Sequence, residues 1–435
     1  TPQDVGATNW DQVQPLGRSK AVDLPSRRLF YWTVRFLSWD SARHFANATR
    51  ALQKASYPDL PVFVDLRVEQ IYSPLPGGAD AADAATGGPD WLEFGRLRGV
   101  SMLWHDFSNA HAAASSLVSA KLRSAADKGG VQFGGYISLG GNRQDDAVRN
   151  ILTVIGNGGK GLFYWIGPTE HFTYKAYTEN PSELAGIAEA DRMIGQAEDL
   201  LWPGKEPRAQ VAILAPRSAE LWNHERSSIP GYTTEVSNLY RALESANIPV
   251  DFVEEDDLSP KRLDSYKVLY VTEPNIPVEF QSGLAAWVQG GGTLAMSKGA
   301  GGSDRYNEPC DILSKSLVSP GHGQVVHFTW LPGTYSADIR DAMLSPMYTA
   351  RVEPPVKADV AMIETPLLLS AKGAAITVLN WSGKVQKQVT VTAQVPFTVK
   401  SVESVEQGKL AFTQSQRGIT CRLPLATADI ILLTP

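Results

Sequence analysis

The chain has 435 residues, 43% of them hydrophobic and 20% charged. That is the composition of an ordinary globular protein, and it excludes a disordered chain, a collagen and a coiled coil. A net charge of −6 leaves no basic footprint for nucleic acid, and no apolar run approaches the ~18–20 residues of a membrane span.

Short apolar runs alternate with helical patterns over residues 1–203, the signature of parallel βα units. A helix is expected over 41–55, then strands at 61–66 (PVFVDL), 99–104 (GVSMLW), 131–139 (VQFGGYISL) and 160–166 (KGLFYWI). Helices are expected between them at 109–127 and 145–155, and a terminal one over 182–201 is stopped by Trp202-Pro203-Gly204. Residues 72–89, rich in Gly, Ala, Asp and Pro, read as a long surface loop.

A second region, 204–317, repeats the order on a smaller scale, with strands at 210–214, 250–253, 267–271 and 293–296 and helices at 233–246 and 278–289. This is the pattern of a doubly wound, flavodoxin-like α/β domain. Its Gly290-Gly291-Gly292 run lies between a helix and a strand, the wrong side for a phosphate loop. The third region, 318–435, has strand-like runs at 324–328, 374–379, 388–392, 397–402 and 429–433, which suggest a β-sandwich.

In parallel βα architecture, functional groups gather at the carboxyl ends of strands. That rule selects Asp65, then Trp104-His105-Asp106, then Tyr136, then Trp165 with Glu170-His171 in the loop beyond it. Aromatic faces beside acids and histidines suit a sugar; each aromatic taken alone reads first as core and each acid as a loop cap, and it is the four strand ends together that point to a cleft. Glycoside hydrolysis needs two carboxyl groups, one a general acid and the other a nucleophile or base. Asp106 and Glu170 are the candidate catalytic pair, with Trp104, His105, Tyr136, Trp165, His171 and Asp65 as substrate contacts. Asp90 and Glu93 precede a strand and read as structural, and the acids 254–257 read as a solvated helix start or loop. No HxH or HExxH spacing supports a metal, no GxSxG turn supports a serine triad, and no cofactor is implied. Two cysteines, Cys310 and Cys421, are too few for a disulfide framework or a four-cysteine zinc site, so two free thiols are expected.

Three stretches carry a family resemblance. Gly158-Gly159-Lys160-Gly161-Leu162-Phe163-Tyr164-Trp165 followed by Glu170-His171-Phe172 resembles the last barrel strand of the β-galactosidases of glycoside hydrolase family 42. Residues 266–272 with 287–293 are similar to that family's trimerisation domain, and Val378-Leu379-Asn380-Trp381-Ser382-Gly383 to a hairpin of its β-domain. The resemblance implies a (β/α)8 barrel, a flavodoxin-like domain and a C-terminal β-sandwich, with a trimer built through the middle one. It also implies that residues 6–15 (GATNWDQVQP) follow the fourth barrel strand, so the chain would hold strands 5–8 of the barrel. The family's acid/base Glu sits on the fourth strand and would lie outside the chain. Its nucleophile Glu ends the seventh strand, where this sequence has Tyr136-Ile137-Ser138-Leu139-Gly140 and no acid.

Two readings follow. One is a glycoside hydrolase acting on a β-galactoside-like or other polysaccharide substrate. The other is an inactive relative serving as a carbohydrate-binding or structural subunit of an extracellular assembly. A four-stranded half-barrel leaves open edges and an uncovered inner face, so an N-terminal half of the same precursor is the expected partner. Many tryptophans and few cysteines fit an extracellular or periplasmic protein and fit a cytoplasmic one nearly as well, so the compartment is left open with a lean to the former.

Overall fold

The computed structural model describes residues 1–64, 90–107, 113–138, 143–165, 181–215, 217–223, 232–328, 335–416 and 418–435. The first unit opens with three 3-10 turns and then α1 (Leu24–Ala55), capped by reciprocal Asp23–Ser26 hydrogen bonds. This helix is twice as long as the expected 41–55. Its first half hides the helical period, because it buries Phe30, Tyr31 and Val34 but leaves Trp32, Phe36 and Trp39 exposed.

Helix α2 (Trp91–Leu97) leads into β1 (Met102–Phe107), α3 (Ala114–Gly129), β2 (Gln132–Ser138), α4 (Gln144–Gly156), β3 (Gly161–Trp165) and α5 (Pro181–Leu201). The three strands form one parallel sheet in the order β1-β2-β3. Val62 lies along the free edge of β1, its carbonyl accepting from the Ser101 and Met102 amides at 3.0 and 3.2 Å. The expected strand at 61–66 is therefore extended backbone through residue 64, and Asp65 lies outside the described residues. Leu103, Phe107, Phe133 and Ile137 pack in a shared core with Phe94 of α2, Leu122 of α3, Ile151 of α4 and Met193 of α5.

The second unit runs β4 (Val211–Leu214), α6 (Arg217–Asn223), α7 (Tyr232–Ser245), β5 (Val250–Val253), α8 (Pro260–Leu263), β6 (Val268–Val271), α9 (Val278–Gln289), β7 (Thr293–Ser297), α10 (Ile312–Ser316), β8 (Gln324–Phe328) and α11 (Ala337–Thr349). All five strands are parallel in the order β5-β4-β6-β7-β8. In the unit's own count this is 2-1-3-4-5, the doubly wound order. Period-2 alternation splits the strands: Val211 and Ile213 join the core shared with the first unit, whereas Ala212 and Leu214 pack with Leu284 and Trp287 of α9. The segment Gln324–Phe328 was expected in the third region. It instead pairs in parallel with β7, and α11 follows it, so the second unit extends well past residue 317.

The third unit is a pair of antiparallel sheets. It is built from β9 (Val356–Ala358), β10 (Ile363–Glu364), β11 (Leu367–Ser370), β12 (Gly373–Asn380), β13 (Gln386–Ala393), β14 (Ser401–Ser404), β15 (Gly408–Lys409), β16 (Phe412–Ser415), β17 (Gly418–Leu425) and β18 (Ala428–Thr434). One sheet runs β10-β12-β18-β14-β15 with β11 beside β12, and the other runs β16-β17-β13-β9. Ile376, Val378 and Ile431 of the first share a core with Val389, Val391 and Cys421 of the second, which is a sandwich. Cys310 and Cys421 are free thiols.

Candidate active site

Strand β1 begins three residues later than expected, so His105, Asp106 and Phe107 lie within the strand and not beyond it. Register puts Trp104, Gly134 and Gly161 in one row across the sheet, and Asp106, Tyr136 and Phe163 in the next row toward the carboxyl ends. Ser138 and Trp165 pair in the row above.

The two glycines explain the floor of this face. A Cβ on Gly134 would stand 2.3 Å from the Trp104 ring, and one on Gly161 would stand 3.0 Å from it. Their bare backbones let the indole lie flat across β2 and β3. The other side of that indole is covered by Phe63, stacked with ring centroids 4.6 Å apart. Trp104 is therefore a buried floor and not the open stacking surface expected of it. In the next row Tyr136 and Phe163 stack at 5.1 Å and 16°. Phe63 and Phe163 remain 47% and 46% exposed and present the aromatic faces that residue-by-residue reading missed. Their signal in the sequence was alternation: Phe63 and Phe163 each sit one residue from an apolar neighbour that faces the other way.

His105 is on the opposite face. Its ring packs edge-on against Trp91 at 5.0 Å and Phe107 at 5.5 Å, on the helix-covered side. Strand alternation removes it from the row that holds Trp104 and Tyr136, so its assignment as a substrate contact does not fit this geometry. Glu170, His171 and Asp65 lie outside the described residues, as do the side chains of Asp106 and Trp165, which are placed by register alone. Among the described residues no cluster of three or more His, Cys, Asp or Glu side chains could hold a metal ion.

Most of the acids set aside as structural or solvated are drawn into a buried network, and Asp256 alone of residues 254–257 stays exposed. Asp90 caps α2, and Glu93 in its first turn is fully buried. Arg217 of α6 reaches Asp90 at 3.4 Å, Glu93 at 3.1 Å, Glu254 at 2.5 Å and Asp256 at 3.3 Å. Arg35 of α1 joins from the other side, at 3.4 Å from Asp90 and 3.9 Å from Glu93. Burial pushes the Asp90 carboxyl up, but Arg217 and Arg35 outweigh it and hold the group below the usual carboxylate range. Glu255, which accepts from the Ser218 amide at 2.8 Å and hydroxyl at 2.9 Å, is pushed up by burial against the opposing pull of Arg217. The solvated-loop expectation holds for Asp256 and fails for Glu254, Glu255 and Asp257, because Arg217 of α6 and Lys128 of α3 bring cations onto this turn. This network joins the first two units and lies apart from the aromatic rows.

No family model matches the chain, and no curated protein matches it. Solved structures do. A β-galactosidase from Rahnella sp. R3 superimposes with a TM-score of 0.67 at 14% identity, covering 96% of this chain and 71% of that one. A catalytic mutant of a GH42 β-galactosidase from G. stearothermophilus gives 0.66 at 13%, covering 98% and 70%. An apo GH42 exo-carrageenase from Bacteroides ovatus gives 0.60 at 13%, covering 93% and 56%.

The chain has the GH42 β-galactosidase fold. In this GH42-like chain the match covers 93–98% of the residues, and the aromatic rows lie within the strands, on one face of the first unit's parallel sheet.

Proposed function

We propose that this chain is the carbohydrate-acting part of a glycoside hydrolase whose substrate is a β-galactoside-like or other polysaccharide. The observation that carries the reading is the pair of exposed aromatic faces, Phe63 and Phe163, flanking Trp104 and Tyr136 on the uncovered side of the sheet. A sugar's apolar face stacks on such rings, and acids in the same rows then meet its hydroxyls or glycosidic oxygen. Asp106, in register with Tyr136, and Glu170, which follows β3 in the sequence, are the acids proposed for the chemistry.

An N-terminal (β/α)4 segment of the same precursor completes the barrel in this reading. It would pair with the open edges of the sheet and supply an acid/base carboxyl group. Replacing Asp106 or Glu170 by Ala in the full-length protein lowers turnover of an aryl β-galactoside at least about 100-fold if they act as acid, base or nucleophile. Unchanged turnover removes both from the mechanism. The second reading is a non-hydrolysing carbohydrate-binding or structural subunit. It is favoured by β2, which ends Tyr136-Ile137-Ser138 without the carboxyl group that a retaining nucleophile at that place requires. Retained glycan binding with no turnover in the unmodified protein decides for it.

A further inference from the structure

Helix α1 presents one straight stripe to solvent. Trp32, Phe36, Trp39, Arg43, Arg50 and Lys54 fall on it at intervals of three, four or seven residues, and all of them are exposed. The buried side of the helix is a different one, carrying Tyr31, Val34, Ser38, Ala42 and Thr49. At 1.5 Å per residue the aromatic half runs about 10 Å and the whole stripe about 33 Å. A solvent-facing stripe is ordinarily polar along its length. This one is aromatic for its first half and cationic for its second.

The rings are held in place. The Trp32 indole N–H donates to the Tyr306 hydroxyl at 3.2 Å, and the Arg305 guanidinium lies 5.7 Å from its ring centroid. Phe36 and Trp39 stand 6.1 Å apart at 40°. Arg43 lies 5.0 Å over the Trp39 ring and ion-pairs with Asp40 at 2.6 Å. The three rings still expose 46%, 57% and 37% of their surface. Rings fixed before a ligand arrives lose little freedom when it binds.

Charge on this helix runs against the rest of the chain. Helix α1 holds five Arg and one Lys against one acid, Asp40, while the chain as a whole carries −6. Arg27 and Arg35 are committed to Glu308 at 2.7 Å and Asp90 at 3.4 Å. On the stripe itself there is no acid, and Arg50 donates to the neutral Asn47 at 2.6 Å, a contact that leaves its charge uncompensated.

We propose that this stripe is a docking track for an anionic polysaccharide, whose pyranose faces stack on Trp32, Phe36 and Trp39 and whose acidic groups meet Arg43, Arg50 and Lys54. Guanidinium groups pair with oxyanions in two-point geometry, and aromatic faces take the apolar side of a sugar ring. The series arrangement, rings first and cations after, suits an extended polymer that follows the helix axis. A second copy of the chain would bring cation against cation. A lipid surface calls for aliphatic wedges, and no Leu, Ile or Val stands on the stripe. A segment completing the barrel would pack on an apolar side, which Arg43, Arg50 and Lys54 do not offer. The inference rests on the carbohydrate reading above but not on hydrolysis.

The test is affinity electrophoresis of the full chain at low and high salt, through a sulfated galactan, the same galactan after desulfation, and polygalacturonate, with sedimentation on phosphatidylglycerol vesicles alongside. Binding to a charged polymer is expected, weakening with salt and at least about tenfold weaker for the desulfated galactan. The preferred polymer tells sulfate from carboxylate. Phe36→Ala and Trp39→Ala are each expected to weaken it at least about fivefold at both salt levels. Arg50→Gln and Lys54→Gln are expected to weaken it and to flatten its salt dependence, whereas Lys315→Gln, which removes the same charge from an exposed site on α10, leaves it unchanged. The track is overturned by no binding to either charged polymer, by equal binding of the desulfated galactan, by an equal loss in Lys315→Gln, or by capture on vesicles alone. If Trp39→Ala fails to fold, Phe36→Ala, the more exposed ring, decides. Aryl β-galactoside turnover of the unmodified chain separates the two readings: stripe-dependent binding without turnover removes the hydrolase and keeps the track, and turnover without polymer binding removes the track alone.

Discussion

Arg217 shows how much one side chain holds. It is 7% exposed and faces four carboxylates from α2 and from the turn after β5. Removing it takes one cation from each of four acids, leaving Glu93 to Arg96 and to Arg35 at 3.9 Å and Glu254 to Lys128 at 2.8 Å. Arg217→Met is expected to destabilise the protein by about 3–5 kcal/mol, read from urea unfolding, because breaking one side of a buried ion pair strands the other. A loss below about 1 kcal/mol would show that water reaches the acids and the network is weak. Nothing in the local sequence marks this residue. The acids Asp90, Glu93 and 254–257 were visible as clusters, but their burial depends on an arginine more than 120 residues away from the first two.

At the level of elements, the long regular pieces were legible. Helix α9 spans Val278–Gln289, as its apolar pattern and the glycine run after it indicate. Strand β1 was legible as a strand but misplaced by three residues, and that shift decides which side chains share a face. The glycines of β2 and β3 carried a meaning that pattern alone does not give. Gly134→Val is expected to drive the Trp104 indole off the sheet, because even a Cβ there would stand 2.3 Å from the ring. The cost is about 1–3 kcal/mol, with a red shift of tryptophan emission as the indole meets water. Unchanged emission and stability would mean that the ring has another place to lie.

For the whole molecule, pH is the informative variable. Burial lifts Glu364 and Glu235 to about 7 and Asp429 to about 6. A carboxyl group raised in the folded state favours folding when protonated. Its contribution is complete below the unfolded value near 4 and is lost as pH rises through 6–7. Asp90, held low, works the other way and loses its contribution only in strong acid. The urea midpoint is therefore expected to be highest near pH 5 and to fall toward pH 8. A flat or rising midpoint over that range would show that the three groups ionise without penalty.

The sequence by itself determined the alternation of strands and helices, the doubly wound pattern and the β-rich end, because periods of 2 and 3.6 are local properties of the chain. It also pointed to strand ends where aromatics and acids accumulate. Tertiary structure alone decided which of these share a surface. Strand register sets the rows Trp104-Gly134-Gly161 and Asp106-Tyr136-Phe163, and one residue of shift would exchange the cleft face for the core face. It also decided that β8 belongs to the second sheet, that Glu254, Glu255 and Asp257 are buried, and that Glu364 caps a helix about 250 residues before it. Each of those outcomes depends on contacts between distant segments, where burial and charge are set by whatever the fold brings alongside.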